Sequence, residues 1–365
     1  MVGLQTVSTF GEAIKLPVAV PGIPAVCKNV MIYAELPEGF AGEKQKLPFF
    51  LAMEEFLARQ RGGEYFFMWQ VAPTVIFGRN QDIEAEVNLD YCREHGIGVY
   101  RRKSGGGCVY ADRNNIMFSH IATCGEVATT FIHYTSAVAS MLRELGLDAA
   151  TTGRNDIMIG DRKVSGYAFY NINLPHGARA VVHGTMLYDA DIESMMHAIT
   201  PSAVKLEAKG VASVRKRVTT VREHCGITLD GFKAFARRRL CDSVMTLTHA
   251  DIAAIREIEQ GYYESAWIYG KRRHRNLSVP KRIEGVGEFI VDMTLADGSE
   301  PPRIEALDIT GDFFITGDID AEIIRPLTGC ELTPEGVAAA LSGVDLPSVI
   351  PNLSVESLTA LLIDR

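Results

Sequence analysis

The sequence predicts an α+β protein with one larger domain and one smaller domain. Strand-like stretches come in runs, and the helical stretches between them are placed irregularly, which favours an α+β sheet over a repeating strand–helix–strand pattern. At 365 residues the chain also exceeds the size at which a single hydrophobic core keeps growing, so two domains are expected. Apolar residues make up 47% of the chain, which is ample material for both cores.

Hydrophobic periodicity predicts the elements of the first half of the chain. Residues 1–27 carry three prolines and are expected to form an extended arm with little core. In chain order we then expect a strand at Val30–Glu35, an amphipathic helix at Leu47–Arg59, a hairpin of Tyr65–Val71 and Thr74–Phe77, a short helix from Asn88 to Gly96, strands at Gly98–Arg101, Cys108–Ala111 and Ile116–Ala122, and a long helix at Phe131–Leu145.

The second half contains the predicted domain boundary. A polar, proline-containing break at Asn276–Pro280 suits a linker, so we expect an N-terminal extension at 1–27, a larger domain at 28–275 and a smaller domain at 276–365. The predicted elements here are strands at Asp156–Ile159, Lys163–Tyr170 and Ala180–Tyr188, a helix opened by Asp189, a helical stretch at Gly231–Glu259, strands at Glu288–Leu295 and Glu305–Thr310, and a helical tail from Pro334.

Composition excludes several classes of protein. The formal charge of −8 and the pI near 5.7 argue against a surface built throughout to neutralise phosphates. Seven cysteines are scattered singly, so neither a disulfide framework nor a zinc site is indicated. No apolar run reaches the roughly 18 residues of a membrane span, and the N-terminus does not resemble an export signal. We expect a cytoplasmic protein.

The most informative segment is the run from Arg101 to Gly107, in which three cations and a serine lead into three consecutive glycines. Consecutive amide groups in such a turn form a concavity that binds anions, and nearby arginines supply charge for a carboxylate or a phosphate. The same run also suits a flexible β-turn flanked by surface charge. It is neither a P-loop nor a dinucleotide-binding fingerprint, so nucleotide binding would need another architecture.

Three further polar positions or clusters are candidates for chemistry. Asp156 could hold Mg²⁺ and Lys163 could lie between a phosphate and a carboxylate, although a lysine there also suits an exposed strand edge. His183 lies in an apolar strand, where a histidine is usually a satisfied core residue. The basic run Lys205–Val218 is either a solvated loop or a flap of cations that closes over phosphates.

Taken together, these clusters resemble the lipoate–protein ligase family. The resemblance spans roughly residues 28–275, and several motifs in register are far more specific than any one of them. They are FGRNQ from Phe77, RRKSGGGCVYADRNN from Arg101, GRNDI from Gly153, GDRKVSG from Gly160, HGTMLYDADI from His183 and KGVASVRKRV from Lys209.

The resemblance implies a fold, a reaction and a set of site residues. The fold would be the mixed-sheet catalytic domain of biotin and lipoate ligases, with a small α+β accessory domain at Arg282–Arg365. ATP and Mg²⁺ would convert lipoate to lipoyl-AMP, and the acyl group would pass to a lysine of a lipoyl domain, in a 2-oxoacid dehydrogenase complex or the glycine cleavage H protein. Lys163 would be catalytic, Asp156 would hold Mg²⁺, lipoate would contact Arg79, Arg102, Ser104, Gly105, Gly106, Gly107 and His183, and the nucleotide would contact Asn155, Asp156, Lys163, Lys209, Arg215 and Arg217.

The sequence departs from the family pattern at three places. Ala111-Asp112-Arg113-Asn114-Asn115 stands where the family has His-Asp-Leu-Gly-Asn, and since asparagine tolerates the left-handed conformation that glycine supplies, the turn is expected to survive. Tyr167 replaces a usually small residue, so its ring is expected to narrow the acyl tunnel. Residues 1–27 have no counterpart.

Three other functions remain open at this stage. A transferase of the same fold would use a cysteine nucleophile, for which Cys108 and Cys124 are the nearest thiols, and no ATP. A lipoyltransferase that uses only preformed lipoyl-AMP is a second alternative. Nucleic-acid binding rests on the basic run Lys271–Arg275, which also suits docking of an acidic lipoyl domain.

Overall fold

The computed structural model describes residues 31–60, 62–123, 127–152, 155–175, 177–199, 217–269, 280–296 and 298–363. The expected N-terminal arm, most of the expected linker and the basic run Lys271–Arg275 lie outside these ranges. The strands are β1 Met31–Glu35, β2 Glu64–Trp69, β3 Thr74–Phe77, β4 Gly98–Arg101, β5 Val109–Ala111, β6 Asn115–Ala122, β7 Ala149–Thr151, β8 Asp156–Ile159, β9 Arg162–Leu174, β10 Gly177–Leu187, β11 Ser243–Thr246, β12 Lys281–Ile283, β13 Gly287–Leu295 and β14 Ile304–Phe313.

An eight-stranded mixed sheet forms the centre of the fold. Its order is β11-β1-β2-β6-β10-β9-β8-β7, in which β1 pairs in parallel with β2 and β11 and the other pairs are antiparallel. A small sheet of order β4-β3-β5 carries the start of the glycine-rich run at the end of β4. The predicted α+β class is therefore confirmed.

Helices cover both faces of the large sheet. Core clusters on the two sides centre on α1 and on α4. The helices are α1 Leu47–Arg59, α2 Ile83–Glu86, α3 Leu89–Glu94, α4 Val127–Glu144, α5 Ile192–Ala198, α6 Val221–His224, α7 Leu229–Leu240, α8 His249–Gln260, α9 Ser265–Tyr269, α10 Arg325–Leu327, α11 Pro334–Ala340, α12 Leu346–Val349 and α13 Val355–Ile363. Within the described ranges, none of them combines the length and hydrophobicity that a membrane span requires.

Helix α1 has the predicted bounds but is not amphipathic. Every residue from Leu47 to Ala58 is buried, including Glu54 and Glu55. A helix buried on all sides must pair any carboxylate that it carries, because an isolated buried charge is very costly. Glu54 and Glu55 must therefore have hydrogen-bond or ion-pair partners inside the fold.

Two other predictions of local structure are wrong. The segments containing β2 and β3 do not form a hairpin, because β2 pairs with β1 and β6 whereas β3 pairs with β4 and β5. The stretch predicted as helical at Gly231–Glu259 contains the strand β11 between two helices. Both errors concern pairings between residues that are distant in sequence.

The C-terminal residues have their own hydrophobic core. The sheet of order β12-β13-β14 packs its inner face against α11 and α13. Side chains such as Phe289, Ile323 and Leu358 are fully buried there. This sheet also reaches the glycine-rich run, since the backbone N–H of Gly106 donates to the carbonyl of Phe313 over 3.0 Å.

Candidate active site

The glycine-rich loop, residues 102–107, is shaped by the guanidinium of Arg102. Its Nε donates to Ser104 Oγ (2.9 Å), Nη1 donates to the carbonyl of Ile76 (3.0 Å), and Nη2 donates to the carbonyls of Gly105 (2.6 Å) and Gly107 (2.8 Å). Burial lowers the pKa of Arg102 to about 10, so the group stays charged at neutral pH. Its donors are turned toward the loop itself.

Arg101 performs a similar task for the neighbouring turn. Its Nη1 donates to the carbonyls of Gly78, Arg79 and Gln81 at 3.2, 2.7 and 2.8 Å. A Cβ on Gly78 would lie 2.1 Å from the carbonyl oxygen of Gly106, so only glycine fits there. The two arginines thus hold two glycine-containing turns against each other, and the expectation that they supply charge for a carboxylate or a phosphate stays a prediction.

A directional chain of hydrogen bonds links the loop to α1. Ser104 Oγ lies 2.6 Å from His183 Nε2, and His183 Nδ1 lies 3.0 Å from both carboxylate oxygens of Glu54. Because Arg102 donates to Ser104, the serine hydroxyl donates to Nε2, and Nδ1–H donates to Glu54. All three residues are at most 5% exposed. His183 is therefore an anchor of the glycine-rich loop.

The Glu54 carboxylate has further donors. Ser119 Oγ donates to Oε1 (2.6 Å), Tyr170 Oη donates to Oε2 (3.3 Å), and Trp69 Nε1 donates to Ser119 Oγ (2.9 Å). These donors satisfy the hydrogen-bonding capacity of a fully buried carboxylate, which would be costly to bury alone. Sequence reasoning missed Glu54, although a glutamate pair within an otherwise apolar helix was a signal.

Lys163 and Asp156 form an ion pair at the other end of the site. Lys163 Nζ lies 2.7 Å from Asp156 Oδ1, and both side chains are about one third exposed (36% and 29%). The lysine folds back over Gly166, where an added Cβ would lie 2.5 Å from Nζ. Gly166 therefore leaves the space in which the ammonium group sits, and Lys163 is not merely an exposed strand-edge residue.

Two other predicted nucleotide contacts lie beside this pair. Asn155 Nδ2 donates to the carbonyl of Tyr167 (3.2 Å), which ties the start of β8 to β9. The backbone N–H of Lys163 donates to the carbonyl of Arg217 (2.7 Å). The end of the predicted flap therefore pairs with the strand that carries Lys163, while Lys209 and Arg215 lie outside the described residues.

Tyr167 and His183 lie on opposite faces of the large sheet. In the antiparallel pair β9–β10 it stands opposite Gly184, whereas His183 stands opposite Ala168. Successive residues of a strand point to opposite faces, so the Tyr167 ring points away from the Ser104–His183 face. A Cβ on Gly184 would lie 2.4 Å from the Tyr167 ring, and Tyr134 packs edge-on against the ring. Gly184 makes room for the larger side chain, but Tyr167 lines the same cavity as His183 and Lys163, so the expected narrowing of the acyl tunnel stays a prediction.

The turn that follows β5 is kept despite the departure from the family pattern at Ala111–Asn115. A left-handed asparagine is not what stabilises it. Asp112 Oδ1 accepts the backbone N–H groups of Asn114 (2.8 Å) and Asn115 (2.9 Å). Neither asparagine has a positive φ, since Asn352 is the one such non-glycine residue in the described ranges. The aspartate that the chain retains therefore caps the turn, and no left-handed residue is needed.

These groups border one cavity of about 680 Å³. Its apolar wall includes Leu51, Trp69 and Met117, and its polar end contains Asn155, Asp156 and Lys163. Cavities of this size typically hold small ligands. The cavity thus joins an apolar wall to a fixed cation, as a long-chain carboxylic acid requires.

The structure brings most predicted site residues together at this cavity. Arg102, Gly106, Gly107, Asn155, Asp156, Lys163 and His183 line it, Ser104 and Gly105 support it from the loop, and Arg79 is exposed beside the loop with its N–H bound to the carbonyl of Ser104. Sequence reasoning missed the cavity residues contributed by the C-terminal region, including Arg282, Asp312 and Phe314.

The residues at the polar end of the cavity suit a metal ion whose ligands are mainly the phosphates of a bound nucleotide. Within the described ranges no group of three or more His, Cys, Asp or Glu side chains is arranged to hold a metal ion. Asp156 offers a single carboxylate. Mg²⁺ in nucleotide sites commonly uses one or two carboxylates together with substrate phosphates, and a single carboxylate at Asp156 fits that pattern.

The fold is that of solved lipoate–protein ligases. The structure of LipL1 from P. falciparum in complex with lipoate has a TM-score of 0.68 at 19% identity and covers 92% of this chain and 99% of its own. A lipoate–protein ligase A bound with ATP has a TM-score of 0.54 at 23% identity and covers 67% of this chain and 99% of its own.

The sequence comparisons define the family. Residues 47–240 match the lipoyl protein ligase A/B catalytic domain, and residues 276–362 match the bacterial lipoate protein ligase C-terminus. Lipoate–protein ligase LplJ of Bacillus subtilis is 32% identical over 86% of this chain and 95% of its own. Lipoate–protein ligase 1 of Staphylococcus aureus is 33% identical over 81% of this chain and 90% of its own. The chain belongs to the lipoyl protein ligase A/B family.

Replacing Gly166 by alanine should displace the Lys163 ammonium group and leave the fold intact. The methyl group would meet the flexible end of the lysine side chain and, at 3.3 Å, Asp156 Oδ1, both partly exposed groups that can shift, so we expect the melting temperature to change by less than about 2 °C. We expect turnover to fall about tenfold or more, or ~1.4 kcal/mol. Gly226→Ala, where an added Cβ meets nothing within 4 Å, is the matched control. Equal turnover in the two variants would show that the lysine's position is unimportant.

Replacing Ser104 by alanine should destabilise the protein, because it leaves Arg102 Nε and His183 Nε2 buried without their shared partner. Such a loss costs about 1–3 kcal/mol, which chemical denaturation can measure. The exposed Ser265→Ala is the control and should stay within about 0.5 kcal/mol of the parent protein. If both variants unfold at the same denaturant concentration, the hydrogen-bond chain does not hold the loop.

Proposed function

We propose that this protein is an ATP-dependent lipoate–protein ligase. Lipoate and ATP would give lipoyl-AMP and pyrophosphate, and the ε-amine of an acceptor lysine would then displace AMP. The observation that carries the proposal is the single cavity that runs from an apolar wall to Lys163. Membership of the family supports it, and lipoate and ATP are each bound in a solved ligase of this fold.

The apolar wall and the loop position the acid. Leu51, Trp69 and Met117 suit the hydrocarbon chain, and the loop held by Arg102 and His183 would close over it. Holding the carboxylate next to the α-phosphate converts an encounter of two solutes into a reaction within one complex. In this arrangement the protein needs no nucleophile of its own.

Lys163 would stabilise the charge that develops in both steps. Its ammonium group would face the α-phosphate during adenylation and the acyl carbonyl when the acceptor amine attacks. Asp156 holds the ammonium group in place before the substrates arrive. Asp156 would also contribute the protein's carboxylate to a Mg²⁺ ion, which neutralises phosphate charge when it is bound.

The remaining parts of the proposal concern the nucleotide, the partner and the division of the chain. Asn155, Lys209, Arg215 and Arg217 would contact the nucleotide, with Arg217 placed by the pairing of its backbone with Lys163. The acceptor would be a lipoyl domain, since an archaeal ligase of this fold has been solved as a system with its E2 lipoyl domain. We assign catalysis to residues 28–275 and an accessory role to residues 276–365.

ATP–pyrophosphate exchange tests the proposal. Purified protein is given ATP, Mg²⁺ and labelled pyrophosphate with lipoate, octanoate or biotin as the acid. We expect exchange with lipoate and little or none with biotin, while octanoate reports the preference for the acyl chain. An absence of exchange with every acid, combined with acyl transfer from preformed lipoyl-AMP, would favour the adenylate-dependent transferase instead.

Replacing Lys163 by alanine should abolish adenylate formation and transfer together, because one cation serves both transition states. The two steps are measured separately, by pyrophosphate exchange and by transfer from supplied lipoyl-AMP. The exposed Lys44→Ala is the control and should behave as the parent protein. Normal transfer by the Lys163 variant would contradict the dual role.

Single replacement of each of the seven cysteines by serine or alanine should leave ligation within about tenfold, or ~1.4 kcal/mol. Cys108 is the most demanding case because it lines the cavity. A cysteine variant that stays folded and loses all turnover would support the cysteine-dependent transferase.

A further inference from the structure

The end of strand β14 and the residues that follow it, 314–316, present two sides with different surroundings. Phe313 and Ile315 are buried in the C-terminal core. Asp312, Phe314 and Thr316 alternate with them, are half-buried and line the cavity of the catalytic region. The Phe314 side chain turns away from the C-terminal core and packs on the core cluster of the large sheet that contains Phe169.

The glycine-rich loop lies directly against this strand. The N–H of Gly106 donates to the carbonyl of Phe313 (3.0 Å), and a Cβ on Gly105 would lie 2.3 Å from that same oxygen. A Cβ on Gly107 would lie 2.9 Å from a carboxylate oxygen of Asp312. The absence of side chains at Gly105 and Gly107 therefore lets the C-terminal strand approach the loop backbone.

The Phe314 ring spans the gap between the loop and the large sheet. It stacks on Phe169 of β9 with ring centroids 5.6 Å apart and an interplanar angle of 14°. On its other side it lies 3.2 Å from the position of a Cβ on Gly106. Within the described ranges, β8 pairs with β9 only as far as Gly166, and the ring packs on the Phe169 side chain beyond that pairing.

We propose that Phe314 is a positioning residue that closes the side of the cavity and shields the acyl-adenylate from water. The inference rests on the proposed function, because only an enzyme that forms an adenylate needs this protection. An acyl-adenylate is a mixed anhydride that water can cleave to the free acid and AMP, so an open wall beside it would waste ATP. A bulky apolar ring at this place keeps water out and restricts the adenylate to the acceptor amine.

The experiment measures the AMP that full-length protein releases from lipoate and MgATP when no acceptor is present. The parent protein should form about one equivalent of adenylate per chain, with release of pyrophosphate, and should then release AMP slowly, because the adenylate stays enclosed. Phe314→Ala should release AMP at least about fivefold faster relative to its own rate of pyrophosphate exchange, because the adenylate still forms but is no longer enclosed. Phe314→Leu should restore most of the protection.

The control variant must distinguish the loss of the Phe314 ring from a general loss of stability in the C-terminal region. Leu332 is a partly buried side chain that packs on the C-terminal core and does not line the cavity. Leu332→Ala should therefore leave AMP release near the parental rate. An equal ratio of AMP release to pyrophosphate exchange in Phe314→Ala and the parent protein, or an equal rise in both variants, would overturn the inference. If the parent protein shows no lipoate-dependent exchange, the proposed function fails first, and with it this role of Phe314.

Discussion

The buried guanidinium of Arg102 donates four hydrogen bonds, one to Ser104 and three to backbone carbonyls, and so determines where the glycine-rich loop lies. Burying this charge is costly, and carbonyl dipoles with a good geometry offset the cost. Ser104 in turn forms a hydrogen bond with His183, and Glu54 orients the His183 ring by a hydrogen bond to Nδ1. Helix α1, strand β10 and the loop therefore hold one another in place, and the shape of the acyl side of the cavity follows from that arrangement.

The position of Lys163 at the polar end of the cavity depends on the absence of a side chain at Gly166. Strand β9 carries Lys163 and Gly166 three residues apart, and the missing side chain at Gly166 lets the lysine turn back toward Asp156. A flexible lysine that is already paired is held where charge will develop, so less rearrangement is needed during the reaction. The same strand continues to Phe169, on which the C-terminal region places Phe314. One strand thus links the cation to the wall of the cavity.

Local periodicity was enough to predict the strands that carry the site, because β8 alternates half-buried residues with buried isoleucines and β9 and β10 contain longer buried runs. It failed for β2 and β3, since the choice of partner strand depends on residues far along the chain. The glycines at 105–107 predicted a turn whose amide groups form a concavity for anions, but the sequence does not show that the C-terminal strand also packs against these glycines. Burial of Glu54, and the use of Arg102 within the loop, likewise arise only from tertiary packing.

A crystal structure with a non-hydrolysable lipoyl-adenylate analogue tests the central claim most directly. The account predicts that the acyl chain lies along the wall formed by Trp69 and Met117, with its carbonyl and the group that replaces the α-phosphate within about 3 Å of Lys163 Nζ. The glycine-rich loop should keep its bonds to Arg102. An analogue bound elsewhere, or one bound in this cavity with Lys163 still paired only to Asp156, would contradict the account.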